Sequence, residues 1–174
     1  MRCAENIADI YYDTRDTNSI QLVFCDISTP KEGFNLYDEL KSLLIAMGIP
    51  GNKIAIIHEA ENERKKEELF KELKKKKKSV LIGSTFKTGH GVNIQERLVA
   101  MHHLDVPWRP ADMVQREGRI LRRGNNSKSV KIFRYITKGS FDAYSWQLLE
   151  SKQRFISQIL LGDCAQRECA DVDE

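Results

Sequence analysis

Five short apolar runs, each bounded by polar residues, alternate along the chain with stretches whose apolar residues repeat at helical spacing. The runs are "IQLVFCDIS", "KIAIIH", "SVLIGST", "LVAMHHLDV" and "SVKIFRYIT". Strands this apolar bury both faces, and strands joined through helices run parallel because the crossover returns the chain to the same end of the sheet. The pattern predicts an α/β fold, with a mainly parallel central sheet and helices on both faces as a three-layer sandwich. In such sheets ligands gather beyond the carboxyl ends of the strands. The chemically informative segments are then the loops at 28–32, 84–95 and 105–110.

"CAENIADIYYDT" repeats Ile7, Ile10 and Tyr11 at helical spacing and reads as an initial helix or linker over 1–19, packed on a lobe spanning 20–137. Leu36, Leu40, Leu43, Leu44 and Met47 form an apolar stripe that Gly48 and Pro50 stop. A charged helix over 61–78 carries Glu61/Lys65 and Glu67/Lys71 at the favourable four-residue spacing, with Leu69, Phe70 and Leu73 on its inner side. Its Lys74–Lys78 run is either a phosphate contact or a solvated helix end whose lysines complement the dipole. Ser140 is placed to cap a last helix within 138–174, where Phe141, Tyr144, Leu148, Phe155 and Ile159 recur near helical spacing; it packs on the lobe or extends from it.

A chain of 174 residues, 41% hydrophobic and 30% charged, suits one soluble domain or one lobe of something larger. No apolar run approaches the roughly 18 residues that span a membrane, and the first twenty residues mix charged with apolar positions, so no membrane partner and a cytoplasmic location are expected. Cys3, Cys25, Cys164 and Cys169 lack metal-ligand spacing and read as free thiols, and no metal site is expected. His58, His90, His102 and His103 are scattered over strand ends and a loop and read as structural or incidental. A net charge of +3 does not mark a nucleic-acid binder, so any basic surface must come from local clustering.

The densest cluster is "VQREGRILRRGN", at 114–125. Pro110 suits the first turn of its helix. If 110–121 is helical, Gln115, Arg119 and Arg122 share one face, and Arg116 and Arg123 form a neighbouring stripe expected to matter less. Gly118 costs roughly 1 kcal/mol in a helix relative to alanine, which implies a close approach to the backbone there. Two readings fit the arginines: internal pairing with Asp112 and Glu117, or a phosphate chain gripped by bidentate guanidinium groups. A second motif, "IGSTFKTGHGVNIQ", places Ser84 and Thr85 at a strand end, then Gly89, Gly91 and Asn93, a combination able to aim amides and hydroxyls at a phosphate.

Together these motifs resemble the second RecA-like lobe of superfamily-two helicases, the P-loop NTPase-type fold, and most of all the Swi/Snf-type DNA translocases and related phage or plasmid helicases. The resemblance covers about residues 20 to 137. "STFKTGHGVNIQ" resembles the fifth family motif, "HLDVPWRP" the aspartate-and-tryptophan segment before the sixth, and "QREGRILRRGN" the sixth; "LVFCDIST" is a plausible fourth. Gly118 and Arg109 depart from the Swi/Snf pattern, where aspartate and asparagine are common. The Trp108-Arg109-Pro110 variant with "QREGRI" is similar to helicase lobes fused to adenine-specific DNA methyltransferases.

The resemblance implies that Arg119 and Arg122 are arginine fingers for ATP and Mg²⁺ held mainly by a separate N-terminal RecA-like lobe. Gln115, Gly89, Gly91 and Asn93 would border the nucleotide. Ser28, Thr29, Ser84, Thr85 and Lys87 would contact a nucleic-acid backbone, DNA rather than RNA, and a fused DNA methyltransferase is a further partner implied. No GxxxxGK[ST] loop occurs in the chain, so the chain alone is expected not to hydrolyse ATP. The alternative is a non-catalytic nucleic-acid-binding RecA-like scaffold.

Overall fold

β1 (Ile20–Phe24) is buried along its whole length and lies at the centre of a five-stranded sheet. The computed structural model describes residues 1–30, 33–88, 94–121, 124–127 and 129–161. The remaining strands are β2 (Ile54–Ile56), β3 (Val80–Gly83), β4 (Leu98–His103) and β5 (Lys131–Arg134). Their order is β2-β3-β1-β4-β5, and every pairing is parallel. β1 pairs with β3 on one side and β4 on the other, so the ends of these three strands converge at the point where the chain switches direction across the sheet.

Side-chain alternation divides the core in two. Val23, Val80, Ile82, Ile54 and Ile56 face α1 (Arg2–Asp13) and α2 (Leu36–Ala46), meeting Ile7, Tyr11, Leu40 and Leu44. Leu22, Phe24, Leu81, Ala55 and Met101 face the other way, against Leu73 of α3 (Glu63–Lys74) and Ile120. The expected inner faces of the first three helices are thus present. α1 is also tied to the sheet by a buried polar chain. Gln21 Nε2 donates to the Ile7 carbonyl at 2.9 Å, and its Oε1 lies 3.1 Å from His102 Nε2. His102 Nδ1 is 2.8 Å from the Tyr135 hydroxyl, which accepts from Asn6 Nδ2 at 3.1 Å. Every member is satisfied if His102 carries its proton on Nε2.

Helix ends follow local chemistry. Asn35 and Asn62 cap α2 and α3, each accepting a backbone N–H three residues on at 2.9 Å. α2 stops at Gly48, whose φ of 89° lets Ile49 N–H reach the Leu44 carbonyl at 3.0 Å. α3 closes in the same way over Lys76, at φ 64°, with Lys77 N–H on the Glu72 carbonyl at 3.0 Å. The Lys74–Lys78 run therefore terminates α3 just before β3 begins. It lies at the amino end of β3, away from the loops at the carboxyl ends of the strands.

After a single turn, α4 (Thr85–Thr88), comes the arginine helix, α5 (Pro110–Glu117), which is shorter than the expected 110–121. From Gly118 the backbone tightens into a turn, with Arg119 N–H on the Arg116 carbonyl at 3.3 Å and Ile120 N–H on Glu117 at 3.0 Å. α6 (Asp142–Leu161) starts where Ser140 Oγ accepts from Asp142 N–H at 3.2 Å. Trp146 and Leu149 bury this helix against Met113 of α5, while Phe141, Tyr144, Phe155 and Ile159 are exposed. Among the described residues, no helix is long and apolar enough to cross a membrane.

Candidate functional site

Asp26, Thr85 and Asp105 stand just beyond the carboxyl ends of β1, β3 and β4, and α5 delivers one cation into their midst. That cation is Arg116, whose side chain is 0% exposed. Its Nε donates to Thr85 Oγ1 at 2.6 Å. Nη1 donates to the Asp105 carbonyl at 3.2 Å and lies 3.4 Å from His103 Nδ1. Nη2 donates to Asp26 Oδ2 at 2.6 Å and Asp105 Oδ1 at 3.0 Å. These contacts engage all the N–H groups a guanidinium owns, and its carbon sits 5.0 Å from the centroid of the Phe24 ring.

The carboxylates are equally committed. Asp105 Oδ2 accepts from the backbone N–H groups of Asp26 and Ile27, fixing the loop after β1 to the loop after β4. Asp26 Oδ1 accepts from Thr85 N–H at 2.6 Å, and Oδ2 from the Thr85 hydroxyl at 2.7 Å. Burial opposes the Asp26 charge, but the bonds from Thr85 and the Arg116 guanidinium outweigh it and hold its carboxyl below the usual range. With Arg116 on His103 Nδ1, the imidazole proton sits on Nε2, 3.8 Å from Glu117 Oε1. Burial, and then the nearby Arg116 charge, push His103 down to about 3, so it is neutral.

Arg116, read from spacing as part of a neighbouring stripe expected to matter less, is the arginine that the fold buries. Sequence spacing contained the signal: Met113, Arg116 and Ile120 recur at helical intervals and are all buried, so Arg116 occupies a core position on α5. Asp26 and Asp105 lie in the fourth-motif and aspartate-and-tryptophan segments, and only the parallel pairing of β1 with β3 and β4 brings their loops together. Gly118 does mark a close approach, but to this chain itself. A Cβ there would lie 2.8 Å from the Val114 carbonyl oxygen.

Gln115 is exposed on α5 and Arg119 is half-buried on the turn after it. Arg109 pairs with Asp112 at 3.1 Å, and Arg134 pairs with Glu117 at 3.0 Å, so the acids expected to neutralise the arginine helix are engaged by other arginines. Arg122, Gly89, Gly91 and Asn93 lie outside the described residues. Ser28 Oγ accepts from Leu36 N–H at 3.0 Å, and Thr29 is half-buried beside it. Ser84 is buried, with its hydroxyl accepting from Lys87 N–H at 3.4 Å. The Thr85 amide and hydroxyl both serve Asp26, so a phosphate at Thr85 must compete with that carboxylate. Lys87 lines a groove of about 550 Å³ with Phe86, Phe70, Asn62 and Lys66.

Burial pushes the Cys3 and Cys25 thiols up to about 12 and about 11, leaving negligible thiolate at neutral pH. Among the described residues, no group of histidines, cysteines and acids is placed to hold a metal ion.

The family described as helicase conserved C-terminal domain matches residues 4–124. Among curated proteins, the chain is similar to Defense against restriction protein B of Escherichia phage P1, at 42% identity over 84 residues. That stretch is 48% of this chain and 4% of the phage protein. Among solved structures, it is similar to the C-terminal part of the Fun30 ATPase domain, with a TM-score of 0.64 at 19% identity, over 91% of this chain and 53% of that one. At that identity the likeness is one of fold.

Proposed function

Since the chain belongs to the helicase conserved C-terminal domain family and folds as the RecA-like lobe of a superfamily-two ATPase, we propose that it serves as the second motor lobe of an ATP-dependent DNA helicase or translocase. ATP and Mg²⁺ are held mainly by a separate N-terminal lobe. Arg119 and Arg122 reach across the cleft to the triphosphate, with Gln115, Gly89, Gly91 and Asn93 bordering the nucleotide. The observation that carries this reading is the mounting of the arginine turn. Arg116 bolts α5 to the carboxyl ends of three parallel strands, and Arg119 leaves that bolt within one turn, while the sequence contains no GxxxxGK[ST] loop.

Nucleic acid runs over the loops after β1 and β3, where Thr29 and Lys87 offer the donors least committed to internal bonds, with Ser28, Ser84 and Thr85 behind them. The phage relative is named for defence against restriction, and on that ground the reading takes DNA over RNA. A fused DNA methyltransferase is compatible with a relative of which this chain spans only 4%.

The test is steady-state phosphate release by the chain joined to its N-terminal lobe. A finger neutralises charge on the transferred phosphoryl group and is worth about 10³–10⁵ in rate. Arg119→Ala and Arg122→Ala should each cut DNA-stimulated turnover severely and leave DNA binding intact. Lysine should rescue poorly, since it lacks the planar fork. Turnover within about threefold of wild type, or ~0.65 kcal/mol of barrier, would return the chain to the scaffold reading.

A further inference from the structure

We infer that Arg116 is the positioning residue that sets the place of the Arg119 turn according to the loops after β1 and β3, with Asp26 as its adjustable partner. The mechanical part rests on geometry alone; its consequence for turnover rests on the motor-lobe reading. Arg116 reaches Thr85 through Nε and both Asp26 and Asp105 through Nη2, and its own carbonyl accepts the Arg119 N–H at 3.3 Å. The guanidinium therefore joins four chain segments at one rigid, planar group.

The three partners differ in freedom. The Asp105 side chain is 4% exposed and held by two backbone amides, so it forms the fixed side of the clamp. The Asp26 side chain is 35% exposed and bonds the Thr85 amide and hydroxyl as well as Arg116. A backbone phosphate that draws on Thr85 must disturb Asp26, and a disturbed Asp26 releases one of the two carboxylates on Nη2. Arg116 then shifts toward Asp105, and the helix end that carries Arg119 moves with it. Nucleic-acid occupancy is thereby linked to finger position through a single buried side chain.

The variants are Asp26→Asn and Arg116→Lys. In the 174-residue chain, hydrogen exchange is read at the Arg119 and Ile120 amides, whose acceptors are the Arg116 and Glu117 carbonyls. Both variants should exchange there at least about tenfold faster than wild type, with amides of β1 unchanged. Unchanged exchange at Arg119 and Ile120 overturns the inference. Should Arg116→Lys fail to fold, Asp26→Asn, at a partly exposed carboxylate, still decides. In the two-lobe protein, Asp26→Asn should lower DNA-stimulated kcat at least about tenfold while KM for ATP stays within about threefold. A kcat that holds while KM rises overturns the coupling. If Arg119→Ala leaves turnover untouched, the motor-lobe reading fails, and the exchange measurement still scores the positioning role.

Discussion

Arg116, His102 and His103 show how single buried polar residues are made tolerable. An unpaired charge at the Arg116 site would cost several kcal/mol, so the fold supplies two carboxylates, three other acceptors and an aromatic face around it. The histidines take the other route and stay neutral. Burial lowers both to about 3 from an ordinary 6.5. Because the folded value is depressed, the unfolded chain takes up protons first as pH falls. The stability that neutral histidines provide is complete above pH 6.5 and is lost progressively down to about pH 3. Each contributes a slope of about 1.4 kcal/mol per pH unit in that window, and His58, lowered by burial and then by Lys87, acts in the same direction. Urea unfolding at pH 7.5 and pH 5.0 should therefore show a marked acid loss, smaller by ~2 kcal/mol in His102→Gln, which keeps an amide for Gln21 and Tyr135. Equal losses in the two proteins would mean that His102 is not neutral in the fold.

Among the secondary-structure elements, α2 and α3 end in the same closing turn with different residues. Gly48 adopts its left-handed conformation without a side chain to accommodate, and a Cβ there would lie 2.7 Å from the Tyr12 hydroxyl, which donates to the Met47 carbonyl. At the corresponding place in α3 stands Lys76, a residue that pays a steric penalty at φ 64°. Lys76→Gly relieves that penalty, and the extra freedom of glycine in the unfolded chain offsets part of the gain. The net expectation is a stabilisation of about 0.5–1 kcal/mol, seen as a melting temperature raised by about 1–4 °C. A lowered melting temperature would show that the lysine side chain contributes more to the helix end than its backbone strain removes.

The whole molecule presents arginines at the carboxyl edge of its sheet, and its sequence contains no GxxxxGK[ST] loop. Supplied alone, the chain should release no phosphate from ATP with or without DNA, and turnover abolished by Arg119→Ala in the chain alone would contradict the two-lobe reading. Its DNA binding should be weak, fall with added salt and show little sequence preference, since the available contacts are to phosphates. A base-sequence preference that persists at high salt would contradict it. At this scale the division between sequence and structure is clear. Alternating apolar runs and helical stripes determined the parallel sheet, its helical layers and the helix ends at Gly48 and Pro110, because those features depend on period, burial and local backbone chemistry. The ordered motifs also determined the family and pointed to Gln115 and Arg119. Which arginine would be buried was open in the charge pattern, although the spacing of Met113, Arg116 and Ile120 held the clue. That Asp26, Thr85 and Asp105 surround Arg116 was decided only by tertiary structure. Their separations of 59, 79 and 90 residues from one another or from Arg116 carry no local signal; strand order alone converts them into hydrogen-bond distances.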